Sequence, residues 1–198
     1  MPTTGQPSAE RARRKRADAQ RNEQTLLAAA AAVFVRSGVD APIRQIAAEA
    51  DVGIGTIYRH FPTRGDLVVA VYRHQIEACA DAGPQLLAEV GSPVAALRQW
   101  VDLFAGFLVT KHGLAAALRS DSAGLVELHE SFLNRLVPVC AQLLSAAENA
   151  AEIRGGTGAY ELMHGIGNLC IERDNDPGYD PRRLVELLIR GLEGPSAT

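Results

Sequence analysis

The chain has 198 residues, 47% hydrophobic and 22% charged, which is the composition of a folded globular protein of one ordinary or two small domains. Its three cysteines, Cys79, Cys140 and Cys170, lie far apart without a CxxC pair, so neither a zinc site nor a disulfide framework is suggested and a reduced, cytoplasmic setting is expected. No apolar run approaches the roughly 18 residues that span a membrane, and no signal-peptide core opens the chain, so neither membrane insertion nor export is expected.

The net charge of −3 conceals a division. Residues 1–74 carry 11 Lys/Arg against 7 Asp/Glu, a net of +4, whereas residues 75–198 carry 9 against 16, a net of −7. An anionic partner is therefore expected for the N-terminal part alone. The N-terminal part holds the run "RARRKR", Arg11 to Arg16, five of whose six residues are basic. Residues 1–20 read as a basic arm without fixed structure, either simply solvated or able to lie along phosphates or in a minor groove.

From there on the hydrophobic periodicity is helical, and no polar–apolar alternation over six or more residues predicts a strand. Helices are predicted near 22–37, 43–50, 54–60, 64–81, 93–111, 114–120, 122–147, 157–173 and 181–192. Val94, Leu97, Val101, Phe104 and Leu108 form one stripe; Leu125, Leu128, Phe132, Leu136, Val139 and Leu143 form another. Ser92-Pro93 and Asp180-Pro181 each place a capping side chain before a first-turn proline, and Thr63 with Asp66 resembles a capping box. Breaks are expected at "SGVDAP", "DVG", His112-Gly113, "RGG" and "NDPGYDP". Pro138 should kink or split the longest helix.

The stretch "VGIGTIYRHF", Val52 to Phe61, admits two readings. As a dinucleotide loop it would need a third glycine at position 58, which is Tyr58, and a preceding strand, where "IRQIAAEA" has helical spacing. As a helix-turn-helix it is coherent. Ile43, Ile46, Ala47 and Ala50 form one face of a first short helix, and small Ala47 permits a close crossing. Asp51 sits in the turn, where a left-handed backbone is tolerated. Ile54 and Ile57 of the second helix pack inward, and Gly53 and Gly55 serve the crossing and a close approach to DNA. Gly55, Thr56, Tyr58, Arg59 and His60 face outward, offering hydroxyls and cations to phosphates and base edges.

Residues 22–72 resemble the N-terminal domain of the TetR family of transcriptional regulators. The resemblance rests on "RNEQTLLAAAAAVFVRSG", "IRQIAAEADVGIGTIYRHF" and "PTRGDLVVAVY". The variant "VGIGTIYRHFPTR" looks like many actinobacterial members. Asp51 stands where the family usually has Gly, Gly53-Ile54 replaces the common Ser-Lys and removes one phosphate-binding ammonium, and Pro42 stands where a Thr often opens the second helix. The resemblance implies an all-α homodimer of about nine helices. Its N-terminal three-helix DNA-binding domain, residues 21–66, contains the helix-turn-helix, whose reading helix enters the major groove. A C-terminal helical domain, residues 67–198, would hold a ligand pocket and pair its last two helices with a partner subunit. Residues 85–198 match the family in helix pattern only.

For contacts to double-stranded DNA the expected residues are Arg44, Thr56, Tyr58, Arg59, His60 and Arg64. Arg44 can reach a guanine edge, Thr56 and Tyr58 bond phosphates, and Arg59 reads a base or neutralises a phosphate. Arg64 meets a phosphate at a helix start. Tyr58 and His60 have the alternative of buttressing Phe61, which reads as core. A pocket would be lined by His74, Trp100, Phe104, Phe107, His129, Phe132 and Met163, although each of these taken singly reads first as ordinary core. A small, largely apolar effector would suit it. No metal and no cofactor is expected: none of His74, His112, His129 and His164 lies three or four residues from another His or a Cys. The dimer interface is expected from Leu162, Gly165, Ile166, Leu169, Leu184, Leu187, Leu188 and Gly191, as a four-helix contact about a two-fold axis, which implies a palindromic operator.

The expected function is a ligand-responsive repressor released from its operator by the effector. Two alternatives stand beside it: an architectural DNA binder without an effector, favoured by a pocket filled with side chains, and an all-α enzyme. No motif-like spacing of catalytic residues supports the enzyme, so the chain is read as a non-enzyme.

Overall fold

The computed structural model describes residues 6–117, 122–170 and 178–193. Among these the regular structure is eight helices: α1 Gln6–Ser37, α2 Ile43–Glu49, α3 Ile54–His60, α4 Arg64–Glu89, α5 Pro93–Ala117, α6 Ser122–Asn149, α7 Ala159–Leu169 and α8 Pro181–Leu192. The one β-type pairing among them is an isolated bridge between Ile153 and Glu193.

Two helical layers share one continuous core. In the N-terminal head, α1 contributes Leu26, Leu27, Ala30, Val33 and Phe34, spaced so that all five fall on one face. Onto that face fold Ile46 and Ala47 of α2, Ile57 of α3, and Phe61. The head continues into the body through α4, whose Leu67, Val68, Val71, Tyr72, Ile76 and Cys79 are buried. α4, α5 and α6 pack on one another, α7 lies against α5 and α6, and α8 closes against α5 and α7.

The predicted caps are present. Thr63 Oγ1 accepts from Asp66 N at 3.1 Å while Asp66 Oδ2 accepts from Thr63 N at 2.9 Å, a reciprocal box that starts α4. Asp180 Oδ1 accepts from the backbone N–H of Arg182 and Arg183 at 3.0 and 3.3 Å. Ser92 Oγ caps α5 through Ala95 N. A group distant in sequence assists it: Glu152 Oε2 accepts from Val94 N at 2.6 Å and from Ser92 Oγ at 2.8 Å, a carboxylate at the positive end of the helix.

Several boundaries differ from the sequence expectation, each through packing. α1 begins at Gln6, so the basic run lies on helix in its continuation, not on an arm without structure. α4 passes through Pro84 to Glu89, since buried Gly83 holds it against α6: a Cβ there would collide with Val139 Cγ1. α5 runs unbroken through His112-Gly113, so the separate helix expected at 114–120 merges with it as far as Ala117, and eight helices replace nine. α6 is not split at Pro138. α7 starts at Ala159 and ends at Leu169, between Gly158 and Cys170 as its caps; residues 171–173 of its expected span, and 175–177 of "NDPGYDP", lie outside the described residues.

Candidate nucleic-acid interface

The turn between α2 and α3 takes the conformation its sequence foretells. Asp51 has φ 52, the left-handed region in which Asp is among the few tolerated side chains. Val52 N closes back on the Ala47 carbonyl at 3.0 Å, and Gly53 opens α3 in an extended conformation without a side-chain cap. The two glycines do not serve a helix crossing. A Cβ on Gly55 would meet nothing within 4 Å, and one on Gly53 only Thr56 Oγ1 at 4.0 Å. What remains for Gly55 is room for a molecule approaching from outside.

α3 has one anchored side and one open side. Ile57 is fully buried, whereas Ile54 is 42% exposed, so it does not pack inward as expected. Tyr58 is 50% exposed, Arg59 and His60 are exposed, and Thr56 is half-buried. Arg44 is exposed on α2. The His60 ring tilts over Phe61 at 6.0 Å, so it supports the core edge while remaining accessible. Among the described residues neither Arg44 nor Arg59 takes part in an ion pair, unlike Arg36, which is held by Glu49 at 2.6 Å. Two unneutralised guanidinium groups and a phenol on adjacent short helices are the donors that a phosphate backbone and base edges accept.

Arg64 is a correction. Its guanidinium turns inward over the Phe34 ring, 5.5 Å from the centroid, and donates to the carbonyls of Val39 and Ala41, the latter at 2.6 Å. It clamps the α1–α2 connection to the start of α4; it is not aimed at a phosphate. The carbonyls left unpaired beyond the C-terminus of α1 draw a cation, which sequence spacing could not reveal. Arg11, Arg13 and Arg14 are exposed on the first turns of α1.

In the body, the expected pocket residues divide. Trp100 stacks on Phe104 with centroids 5.5 Å apart, Phe104 and Phe107 each lie against Phe132 at 6.0 and 5.6 Å, and Tyr72 packs on Phe107 at 5.1 Å. Met163 is buried on α7. His129 is exposed but stacks on Phe132 at 5.8 Å, at the border of this cluster. His74 is not brought to it. With Gln24, Leu27, Asp66 and Arg73, it lines a groove of about 1260 Å³ between α1 and α4, and burial holds its imidazole below the usual range. Tyr72 and Gln75, also on α4, face the interior and were missed, because a tyrosine and a glutamine in a run such as "VVAVYRHQIEAC" give no signal of their direction. Among the described residues no group of three or more His, Cys, Asp or Glu is arranged to hold a metal ion, and no helix is long and apolar enough to cross a membrane.

The expected dimer residues divide likewise. Leu162 and Ile166 are buried in the monomer's own core, so they are corrected from interface to core. A Cβ on Gly165 would touch Leu188 Cδ2 at 3.8 Å, so that glycine sits at the α7–α8 contact within the chain. Leu169, Leu184 and Leu188 are half-buried, Gly191 is exposed, Leu187 on α8 is 55% exposed and Tyr160 on α7 is 54% exposed.

A three-helix head with an open reading helix, set by a continuous α4 on a larger helical body, defines a helix-turn-helix DNA-binding transcriptional regulator. Residues 26–71 match the sequence model for bacterial regulatory proteins of the tetR family, and residues 92–194 match the C-terminal domain of SbtR-like transcriptional regulators. The chain belongs to the TetR family. A TetR transcriptional regulator from Streptomyces coelicolor is 34% identical with a TM-score of 0.69, covering 88% of this chain and 99% of its own. A TetR regulatory protein from Mycobacterium vanbaalenii is 30% identical with a TM-score of 0.65, covering 90% and 99%. A transcriptional regulator from Saccharomonospora viridis, solved in complex with choline, shares the fold at 17% identity with a TM-score of 0.59, covering 89% of this chain and 100% of its own. No curated protein sequence matches significantly.

Proposed function

We propose that this TetR family regulator is an effector-responsive repressor, acting in the cytoplasm as a homodimer on a roughly palindromic operator. One observation carries the reading: α3 anchors itself by Ile57 alone and turns Tyr58, Arg59 and His60 outward, with Arg44 exposed on α2 and, among the described residues, no carboxylate paired with either arginine. In this reading Arg44 and Arg59 reach base edges, while Thr56, Tyr58 and His60 bond phosphates. Arg64 positions the reading head from behind.

Exposed Tyr160, Leu187 and Gly191, with half-buried Leu184, supply the interface on α7 and α8. A two-fold dimer built there sets two α3 helices on half-sites about 34–36 Å apart, or a multiple of that. The effector enters the body beside the aromatic cluster of Trp100, Phe104, Phe107 and Phe132. It acts by favouring a dimer whose reading heads no longer match the half-site spacing, which requires different affinities for the two states.

The test is selection from random-sequence duplexes at about 150 mM salt, where non-specific phosphate binding is already weakened. Enrichment of an inverted repeat is the expected result. Binding that fades with salt and enriches nothing would replace this reading with an architectural one.

A further inference from the structure

We infer that the effector is a neutral molecule with an apolar, ring-bearing body and a hydroxyl group, and that the hydroxyl is read by Tyr72 and Gln75 on α4. This rests on the effector-responsive reading and adds the ligand's chemical class and the residues that recognise it.

The argument begins from a polar atom without a partner. Gln75 Oε1 is shut off from solvent and accepts no hydrogen bond among the described residues. Buried acceptors are nearly always satisfied, so an orphan calls for a group that is supplied from elsewhere. One turn earlier on the same face, Tyr72 is only 1% exposed. Residues three apart on a helix are surface neighbours, so the two side chains leave α4 on one face.

Their surroundings are aromatic. Tyr72 packs on Phe107 at 5.1 Å, and seven residues further along α4 the Cys79 carbonyl accepts from Trp100 Nε1 at 2.8 Å. The two contacts fix α4 and α5 antiparallel. Gln75, between Tyr72 and Cys79, therefore falls at the level of Phe104, which itself stacks on Trp100 and Phe132. The amide is the polar feature of an otherwise apolar wall, the arrangement by which a small-molecule site fixes orientation.

The chemistry of the ligand follows from the two groups. Burial pushes the Tyr72 hydroxyl above its ordinary range, so it stays protonated and can donate. Gln75 Oε1 can only accept. A ligand hydroxyl closes both, accepting from Tyr72 while donating to Gln75; a carboxylate or an ether lacks the proton for Gln75. No Asp, Glu, Lys or Arg is buried among the described residues, so a charged ligand would find no counter-charge in this core.

The experiment compares 4-ethylphenol with ethylbenzene, the same body with and without the hydroxyl. Trp100, the single tryptophan, is the reporter, excited at its red edge. In the unaltered protein the phenol is expected to bind about tenfold more tightly, the worth of one hydrogen bond made in place of an unsatisfied group. In Tyr72→Phe and Gln75→Leu that preference falls to within about twofold. Equal binding of the two probes by the unaltered protein, or a preference surviving in both variants, overturns the hydroxyl assignment and leaves the effector site standing. Binding of neither probe overturns the hydroxyl assignment, while the effector-responsive reading is judged by the operator selection above.

A ligand-free measurement guards against misfolding. Gln75→Leu removes an orphaned acceptor, so its thermal midpoint is expected at or above that of the unaltered protein. A clear fall would show that Gln75 serves the fold, and would overturn its assignment to a ligand.

Discussion

The head and the body of this chain use their side chains in opposite ways. In the head a handful of residues fix each short helix, Ile57 for α3 and Ile46 with Ala47 for α2, and the rest of the surface is left to polar groups. In the body Trp100, Phe104, Phe107 and Tyr72, among the largest of the buried side chains, pack against one another. Substitutions in the body should therefore register as stability, and those on the outer side of the head as affinity for DNA.

The largest expected effect lies in the body. Phe104→Ala removes a ring packed against Trp100, Phe107 and Phe132, and should lower unfolding stability by about 3–5 kcal/mol in a denaturant titration. A loss below about 1 kcal/mol would mean that the cluster yields to fill the space, and would blur the contrast between the two regions. Next is the reading helix. Arg59→Ala should cost about 1–3 kcal/mol in affinity for the selected operator at fixed salt while leaving the thermal midpoint in place. Unchanged affinity would remove Arg59 from the interface. The smallest effect is at the seam between head and body. Thr63→Ala breaks the capping box of α4 and should cost about 1 kcal/mol of stability, with operator affinity following only as far as the start of α4 is loosened. A stability loss confined to the body's transition would show that the head does not depend on that cap.

Legibility from sequence followed the range of the interactions. The helix-turn-helix could be read because everything that builds it lies within about twenty residues: the apolar spacing of Ile43, Ile46 and Ala47, the left-handed Asp51, and the capping box after Phe61. Outward placement of Tyr58, Arg59 and His60 followed from the 3.6-residue period once Ile57 was taken as the anchor. Ile54 escaped this reading because a first-turn residue has no preceding turn to bury it. Arg64 did so because the carbonyls that draw its guanidinium inward, at Val39 and Ala41, are more than twenty residues earlier in the chain.

In the body the sequence supplied the stripes but not their meeting points. Trp100, Phe104, Phe107 and Phe132 were grouped correctly because two regular stripes facing one interior must touch. His74 lines the groove between α1 and α4 and not the aromatic cluster, a difference that the crossing of α1 over α4 sets. Leu162 and Ile166 were taken for an interface because an apolar helix face looks the same whether its neighbour belongs to the same chain or another.

The sequence by itself thus determined the class of fold, the reading head and its outward residues, and the caps that start α4 and α8. Each of these depends on local spacing and on the hydrogen-bonding needs of single helix ends. Only the tertiary structure decided that α5 runs through His112-Gly113 and α4 through Pro84, that Glu152 caps a helix nearly sixty residues away, that Arg64 faces inward, and that Gln75 is left with an unpartnered oxygen. Packing between helices distant in sequence outweighs a single glycine or proline, and only their crossing fixes which polar atoms meet a partner.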